Sequence, residues 1–414
     1  MREELVERFL RYVSVTSQSD DRAGVVPSTE GQWAMARLLA KELEEIGFKE
    51  IEISEFAVVT AHLPSNLPAD RQVPTVGWCC HMDTVDSGLS PDVHPRVIKN
   101  YQGGDICLNE EKKIWMRSEE HPEIERYVGD DLIVTDGTSV LGADNKAAIA
   151  NVMTAFHRVV KENRPHGTLY VAFVPDEEIG LLGAKKMDYS KFPVDYAYTI
   201  DCCELGEVVY QTFNAGSATI HIKGVTAHPM SSKNQLLNPT LVACDFVNMM
   251  DRGATPECTE KTEGFIWVSS IVSTPAQATV SVKIRDHNLE KYKAKKQIIQ
   301  DAVEFLKRRY PRAGIELAMS DTYGNIEDAM TEKNRSCLDQ LYRALEIEMV
   351  EPKTIAMRGG TDGSYISTQG IMTPNYFTGA HNFHSHCEFM PVSSFVKSTE
   401  VTLTLVDLIA GTRQ

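Results

Sequence analysis

Five polar clusters in this chain combine residue types that could do chemistry. The segment His81-Met82-Asp83-Thr84 follows the run Gly77-Trp78-Cys79-Cys80. His81 and Asp83 stand two apart, so in an extended chain their side chains face the same way. A carboxylate beside an imidazole fixes its tautomer and strengthens it as a metal ligand. Gly142-Ala143-Asp144-Asn145-Lys146 opens a predicted helix. Pro175-Asp176-Glu177-Glu178-Ile179-Gly180 follows an apolar run, and its three adjacent acids repel one another unless a cation is near. If the chain is extended there, Glu177 and Glu178 point in opposite directions. One could then bind a metal while the other faces a substrate. Thr199-Ile200-Asp201-Cys202-Cys203 places an acid at a strand end, and the segment from His381 to Glu388 holds three histidines within six residues.

Each cluster alone has an ordinary reading: a surface histidine, a helix cap, a solvated acidic turn, a turn aspartate. Their joint placement after predicted strands favours one site, because ligands of open α/β sheets gather beyond the carboxyl ends of strands. A mixed imidazole and carboxylate set suits catalytic zinc, with Co²⁺ or Mn²⁺ as substitutes. A pair of divalent ions also balances: three carboxylates and a bridging hydroxide cancel their charge. Paired ions about 3.5–4 Å apart activate a shared water.

The elements that must position these residues alternate. Apolar spacing predicts a helix over 3–14. A second begins near Thr29, where Thr29 and Gln32 fit a capping box. Its apolar face is Met35, Leu38, Leu39, Leu43 and Ile46, and Gly47 stops it. Strands are predicted over 51–60 and 74–80. Residues 91–134 read as a long excursion with a small hairpin, a length often tied to function. A helix over 145–161 precedes the strand Leu169–Val174, whose unbroken apolar run suits a buried parallel strand, and a similar strand spans 196–200.

The texture changes near residue 214. Residues 217–223 alternate, a helix covers 238–251, and a strand spans 265–272. Ala278, Val280, Val282 and Ile284 alternate with Thr279, Ser281, Lys283 and Arg285, the pattern of an antiparallel strand with one wet face. A charged helix follows over 288–309. Helix 333–346 resumes the first pattern, and a last helix over 392–410 is expected to pack back on the first domain. The expected architecture is therefore α/β: a mixed sheet flanked by helices from 1–213 and 326–414, with 214–325 inserted as a smaller α+β domain.

Composition narrows the function classes. The chain has 414 residues, 42 Lys plus Arg against 58 Asp plus Glu, and a formal charge of −16. That balance argues against a general nucleic-acid binder, which needs a basic patch to displace counterions. No apolar run reaches the ~18 residues of a membrane span, and the start Met1-Arg2-Glu3-Glu4-Leu5 lacks the pattern of a signal peptide. Nine cysteines, without a C-x-x-C, suggest buried thiols in a reducing compartment, with room for one reactive thiol beside a metal. The expected location is cytoplasmic.

Across essentially its whole length the chain resembles the peptidase T family of tripeptide aminopeptidases. Their superfamily also holds aminoacylase, succinyl-diaminopimelate desuccinylase and glutamate carboxypeptidase. The matching stretches are His81-Met82-Asp83-Thr84, Thr135-Asp136-Gly137 with Leu141 to Lys146, Asp176-Glu177-Glu178-Ile179-Gly180 and Arg358-Gly359-Gly360-Thr361-Asp362-Gly363. Asn100-Tyr101-Gln102-Gly103-Gly104-Asp105-Ile106 is particularly like peptidase T. The resemblance implies two zinc ions, one held by His81 and Asp201, the other by Glu178 and His384, with Asp144 bridging. His384 rather than His386 is chosen because the family has a His four or five residues before a Glu, here Glu388. Asp83 would orient His81, and Glu177 would be the general base for attack by a metal hydroxide.

The resemblance further implies that the inserted domain is a lid that carries dimer contacts in many members. His228 would be its histidine near the scissile carbonyl, although Met230 replaces the usual small residue, and Arg285 its substrate-contacting arginine. Arg358, before a Gly-rich loop without a following Lys-Ser/Thr, could clamp a peptide carboxylate. The implied activity is removal of the N-terminal residue from unblocked tripeptides. The alternative is a dipeptidase or N-acyl-amino-acid hydrolase with the same site.

Overall fold

A computed structural model describes residues 1–413. The chain forms two compact units. The first contains Met1–Tyr210, Ala329–Ile355 and the chain from Thr361 onward; the second contains Gln211–Asp328 and the short return Ala356–Gly360.

The first unit is built on an eight-stranded mixed sheet. Its order is Lys49–Ile53, Val59–Leu63, Leu169–Val174, Val76–His81, Tyr196–Cys202, Asn375–Phe377, Glu207–Gln211 and Lys353–Ala356. The four middle strands, from Leu169–Val174 to Asn375–Phe377, run parallel. Helices cover both faces, so Val76–His81 is buried at every residue. Trp78 points one way and packs edge-to-face with Phe156 of the helix Ala143–Lys161. Cys79 points the other way, into a cluster with Ala172, Phe192 and Ile366. This two-sided burial explains why the central strands read as continuous apolar runs.

The helices Arg2–Val13 and Val392–Ile409 pack against Ala143–Lys161, as expected for the last helix. The helix Glu30–Ile46 ends at Gly47 with φ +111°, a left-handed cap that glycine adopts without strain. Its other end differs from expectation: no capping box forms there. Gln32 turns inward and donates to Asp176 Oδ1 at 2.6 Å, while Thr29 donates to the carbonyl of Gln18. The Gln32 amide oxygen, which in a capping box would accept the Thr29 N–H, accepts the Asp176 N–H at 2.9 Å instead.

The strand expected over 51–60 is two strands. Lys49–Ile53 and Val59–Leu63 pair antiparallel, and a turn at Ser54 to Ala57 reverses the chain, with Ala57 at φ +59°. The excursion holds the hairpin Ile106–Asn109 and Ile114–Met116. It also holds Arg96–Ile98 and Leu132–Val134, which join Phe389–Pro391 in a three-stranded sheet.

The second unit is a four-stranded antiparallel sheet in the order Phe265–Ser273, Gln277–Asp286, Asn214–Lys223, Gly314–Tyr323. The alternation is as expected: Ala278, Val280, Val282 and Ile284 are buried with Val242, Phe246, Ile299 and Val303 from the helices Pro239–Asn248 and Leu289–Arg309. The edge strand Gly314–Tyr323 is not among the expected elements, although Ile315, Leu317 and Met319 alternate with Glu316, Ala318 and Ser320 and pack on the core. No helix among the described residues is long and apolar enough to cross a membrane.

Candidate metal centre

The parallel strands end on one edge, and five chain segments meet there. His81 ends its strand, and Glu177 and Glu178 follow Val174 in the neighbouring strand. Asp201 lies near the end of Tyr196–Cys202, and His384 lies on the loop after Asn375–Phe377. Asp144 comes from the start of Ala143–Lys161, where the backbone is non-helical at Asp144 and Asn145. It is therefore turned out of the helix and does not serve as a cap.

Asp144 divides its two oxygens between two imidazoles. Its Oδ1 lies 2.9 Å from His81 Nε2 and its Oδ2 lies 3.0 Å from His384 Nε2. Asp201 Oδ1 is 3.7 Å from His81 Nε2, and Glu178 Oε1 is 3.0 Å from His384 Nε2. The one N–H on His384 Nε2 is directed at Asp144, so Glu178 Oε1 stays buried without a hydrogen bond. His386 is exposed and makes none of these contacts.

Backbone clamps hold the cluster. Asp83 Oδ1 is 3.3 Å from His81 Nδ1, and the same carboxylate accepts the N–H groups of Glu177 at 3.0 Å and Glu178 at 3.2 Å. The chain is thus not extended at these acids, as the sequence suggested it could be. It turns at Glu177, whose carbonyl accepts from Gly180 and Leu181. Asp176, at φ +55°, faces away from the site and binds Ser28 and Gln32. Asn145 Nδ2 donates to Asp201 Oδ1 at 2.8 Å, and Asn375 Oδ1 accepts the Asp201 N–H at 2.6 Å. The supporting roles of Asn145, Asn375 and Gln32 had no spacing signal in the sequence.

The charges are out of balance without a cation. Burial and the neighbouring Asp144 push Glu178 up to about 7 and Asp201 up to about 6. Burial raises Glu177 well above its ordinary value; nearby His81 opposes this and Asp201 adds to it. Burial also lifts Asp362, at the start of the helix Asp362–Thr368, to about 8. Burial opposes ionisation of Asp144, but hydrogen bonds from His384 and His81 hold it well below the usual range. His384 rises to about 10 through its hydrogen bond to Asp144 and the Glu178 carboxylate that also faces it. These are groups in want of positive charge.

The residues fit divalent metal ions. His81, Asp144 and Glu178 offer donor atoms within 4.8 Å of one another. Donors on a tetrahedral zinc, bonded at ~2.0–2.1 Å, stand about 3.3 Å apart, and the pairs here span 2.9–3.7 Å. The buried, unbonded Glu178 Oε1 is the clearest mark of a donor set suited to a cation. The cysteines near the site do not compete: Cys80 and Cys202 are buried, and burial drives both thiols up, which keeps them protonated.

The profile of peptidase family M20/M25/M40 matches residues 142–408. The chain belongs to this family. The peptidase is 51% identical over 403 residues to a peptidase T-like protein of Yersinia pestis, covering 97% of each chain. It is 42% identical over 407 residues to peptidase T of Caldanaerobacter subterraneus subsp. tengcongensis, covering 98% of each. The resemblance to peptidase T is borne out. Among solved structures, the aminopeptidase PepT from Bacillus cereus superposes with a TM-score of 0.76 at 21% identity, covering 99% of both chains. That likeness bears out the fold.

The remaining residues singled out in the sequence lie in the second unit. His228 is exposed, and its Nδ1 accepts the Met230 N–H at 3.2 Å. Arg285 donates to the carbonyls of Gly216 and Ile284. Arg358 donates to the carbonyls of Lys261 and Glu263 and to Thr259 Oγ1, over the rings of Phe213 and Phe265.

One pH dependence follows from these shifts. Glu178, Asp201, Asp362 and His384 all have folded values above their unfolded ones. Between about pH 5 and 8 the folded chain therefore holds more protons than the unfolded chain, and stability falls as pH rises. Asp144 has the opposite sign, but its contribution is complete below that window. Burial also lowers His381 to about 4 and Lys146 to about 7, which oppose the trend but are outnumbered by the raised groups, Glu388 at about 8 included. Chelated protein should thus show a lower Tm at pH 8 than at pH 6. Added Zn²⁺ should raise Tm more at pH 8, where fewer protons must leave. A chelated Tm that climbs from pH 6 to 8 would contradict this electrostatic account.

Proposed function

We propose that this peptidase is a tripeptide aminopeptidase that releases the N-terminal residue of unblocked tripeptides and works with two zinc ions, Co²⁺ or Mn²⁺ serving as substitutes. The observation that carries the reading is the division of Asp144 between His81 and His384. One carboxylate facing two imidazoles, with Asp201 beside the first and Glu178 beside the second, is a donor set for two adjoining ions. Full-length identity to peptidase T supports the substrate class.

In this reading His81 and Asp201 hold one ion, Glu178 and His384 the other, and Asp144 both. Bound divalent ions would polarise a peptide carbonyl and acidify a water. Asp83 keeps His81 in one tautomer, its carbonyl 3.2 Å and its carboxylate 3.3 Å from Nδ1, and fixes the backbone of Glu177 and Glu178. Among the described residues nothing hydrogen-bonds the Glu177 carboxylate, and burial raises its pKa, which strengthens it as a base. Glu177 takes the proton of the attacking water and delivers it to the departing amine. Residues 214–325 act as a lid, with His228 and Arg285 meeting substrate, and Arg358 recognises its carboxylate. A homodimer through the lid domain and a cytoplasmic location complete the reading.

A second reading, a dipeptidase or N-acyl-amino-acid hydrolase, has one observation in its favour. The relative at 51% identity is named only as peptidase T-like. Incubating Zn²⁺-supplied protein with free di-, tri- and tetrapeptides and N-acetylated tripeptides, followed by mass, separates the two. Selective loss of one N-terminal residue from free tripeptides is expected. Preferred cleavage of dipeptides or blocked peptides would replace the first reading with the second.

A further inference from the structure

Glu388 is 1% exposed, yet no lysine or arginine pairs with it among the described residues. Its partners are backbone. Oε2 accepts the N–H groups of Leu141 at 2.7 Å and Gly142 at 2.9 Å, and Oε1 accepts that of Asp144 at 3.2 Å. The chain from Leu141 to Asp144 therefore wraps one carboxylate in a nest of N–H groups, at the positive end of the helix Ala143–Lys161. Gly142 makes the wrap with φ +76°. A side chain there would be strained and would bring its Cβ within 3.0 Å of Thr84 Cγ2.

Glu388 also closes the loop that carries His384. His381 and Phe389 exchange both backbone hydrogen bonds, and the Glu388 N–H donates to the carbonyl of Ser385. Inside the loop Asn382 and His384 both have positive φ, at +59° and +61°. The Asn382 side chain ties the loop across to the carbonyl of Cys387 and to Glu123. One end of Glu388 is thus fixed to the His384 loop, and the other grips the backbone of Asp144.

We propose that Glu388 is a positioning residue that sets the spacing between Asp144 and His384, and through it the affinity for the ion these two share. The inference rests on the reading of Asp144 as a shared ligand. A merely structural carboxylate would support the fold equally with or without metal. A positioning carboxylate matters most when Asp144 must meet two ions at once.

The test is Glu388→Gln, nearly isosteric with the native side chain. An amide has one oxygen for three N–H donors, so at least one donor is left facing an NH₂ group. Calorimetric titration of chelated protein with Co²⁺, alongside the visible Co²⁺ absorption, reads occupancy without turnover. The expected result is a 10–100-fold weaker second binding event with an altered Co²⁺ spectrum. The chelated variant should unfold within a few degrees of wild type. Native Co²⁺ affinity, or a loss of chelated Tm with affinity unchanged, would overturn the role given to Glu388. If Glu388→Gln does not fold, Glu388→Asp, which keeps the charge but shortens the reach, is read by the same two criteria. Wild-type protein that takes up no Co²⁺ would overturn the metal reading on which the inference stands.

Discussion

Glu177→Gln should lower kcat by about 10²–10⁴-fold while leaving metal content unchanged. The Glu177 side chain makes no hydrogen bond to any described residue; only its backbone is held, the N–H by Asp83 and the carbonyl by Gly180 and Leu181. The amide matches the carboxylate in shape but cannot accept a proton. An interaction made only in the transition state removes kcat and kcat/KM together, so KM should move little. Kinetics on a free tripeptide, with metal analysis of the same sample, checks both halves. Near-native turnover would remove Glu177 as the base. Lost metal with lost turnover would make it a ligand instead.

Asp144→Asn should be as damaging for a different reason. The native carboxylate presents one oxygen to His81 and the other to His384. An amide keeps one oxygen and turns an NH₂ group toward the other imidazole, so it cannot serve two ions. Affinity for at least one ion should fall on the order of 100-fold or more, the upper end of what even an outer-shell change costs, and activity should fall with it. In chelated protein the His384 imidazole should titrate below its native value of about 10, because Asp144 is the largest cause of its rise. Calorimetry and histidine NMR report these separately. Two full-affinity sites in Asp144→Asn would mean that Asp144 does not bridge.

The sequence was most informative where local and global demands agree. Leu169–Val174 is apolar at nearly every residue because helices cover both faces of its sheet, and it reads as a buried strand without any tertiary knowledge. The second unit's Gln277–Asp286 is wet on one face and alternates accordingly. The metal cluster was visible because His and acidic residues seldom stand at the ends of such strands without purpose.

What stayed hidden depends on partners distant in sequence. Gln32 looked like a capping residue because Asp176, its acceptor, lies 144 residues away. Asp176 itself looked like part of an acidic run, and only its positive φ and its bonds to Ser28 and Gln32 separate it from Glu177. The turn within 51–60 was missed because no glycine or proline marks it; Ala57 adopts positive φ instead. Asn145 and Asn375 support Asp201 through single amide groups, which leave no periodic trace.

The most direct test of the account is crystallographic: anomalous difference maps from crystals grown with Zn²⁺, recorded on both sides of the zinc edge. The account predicts two peaks flanking Asp144, one beside His81 and Asp201, the other beside Glu178 and His384, with His386 bound to neither. A single peak, or a peak held by His386 or by the Cys202–Cys203 thiols, would contradict it.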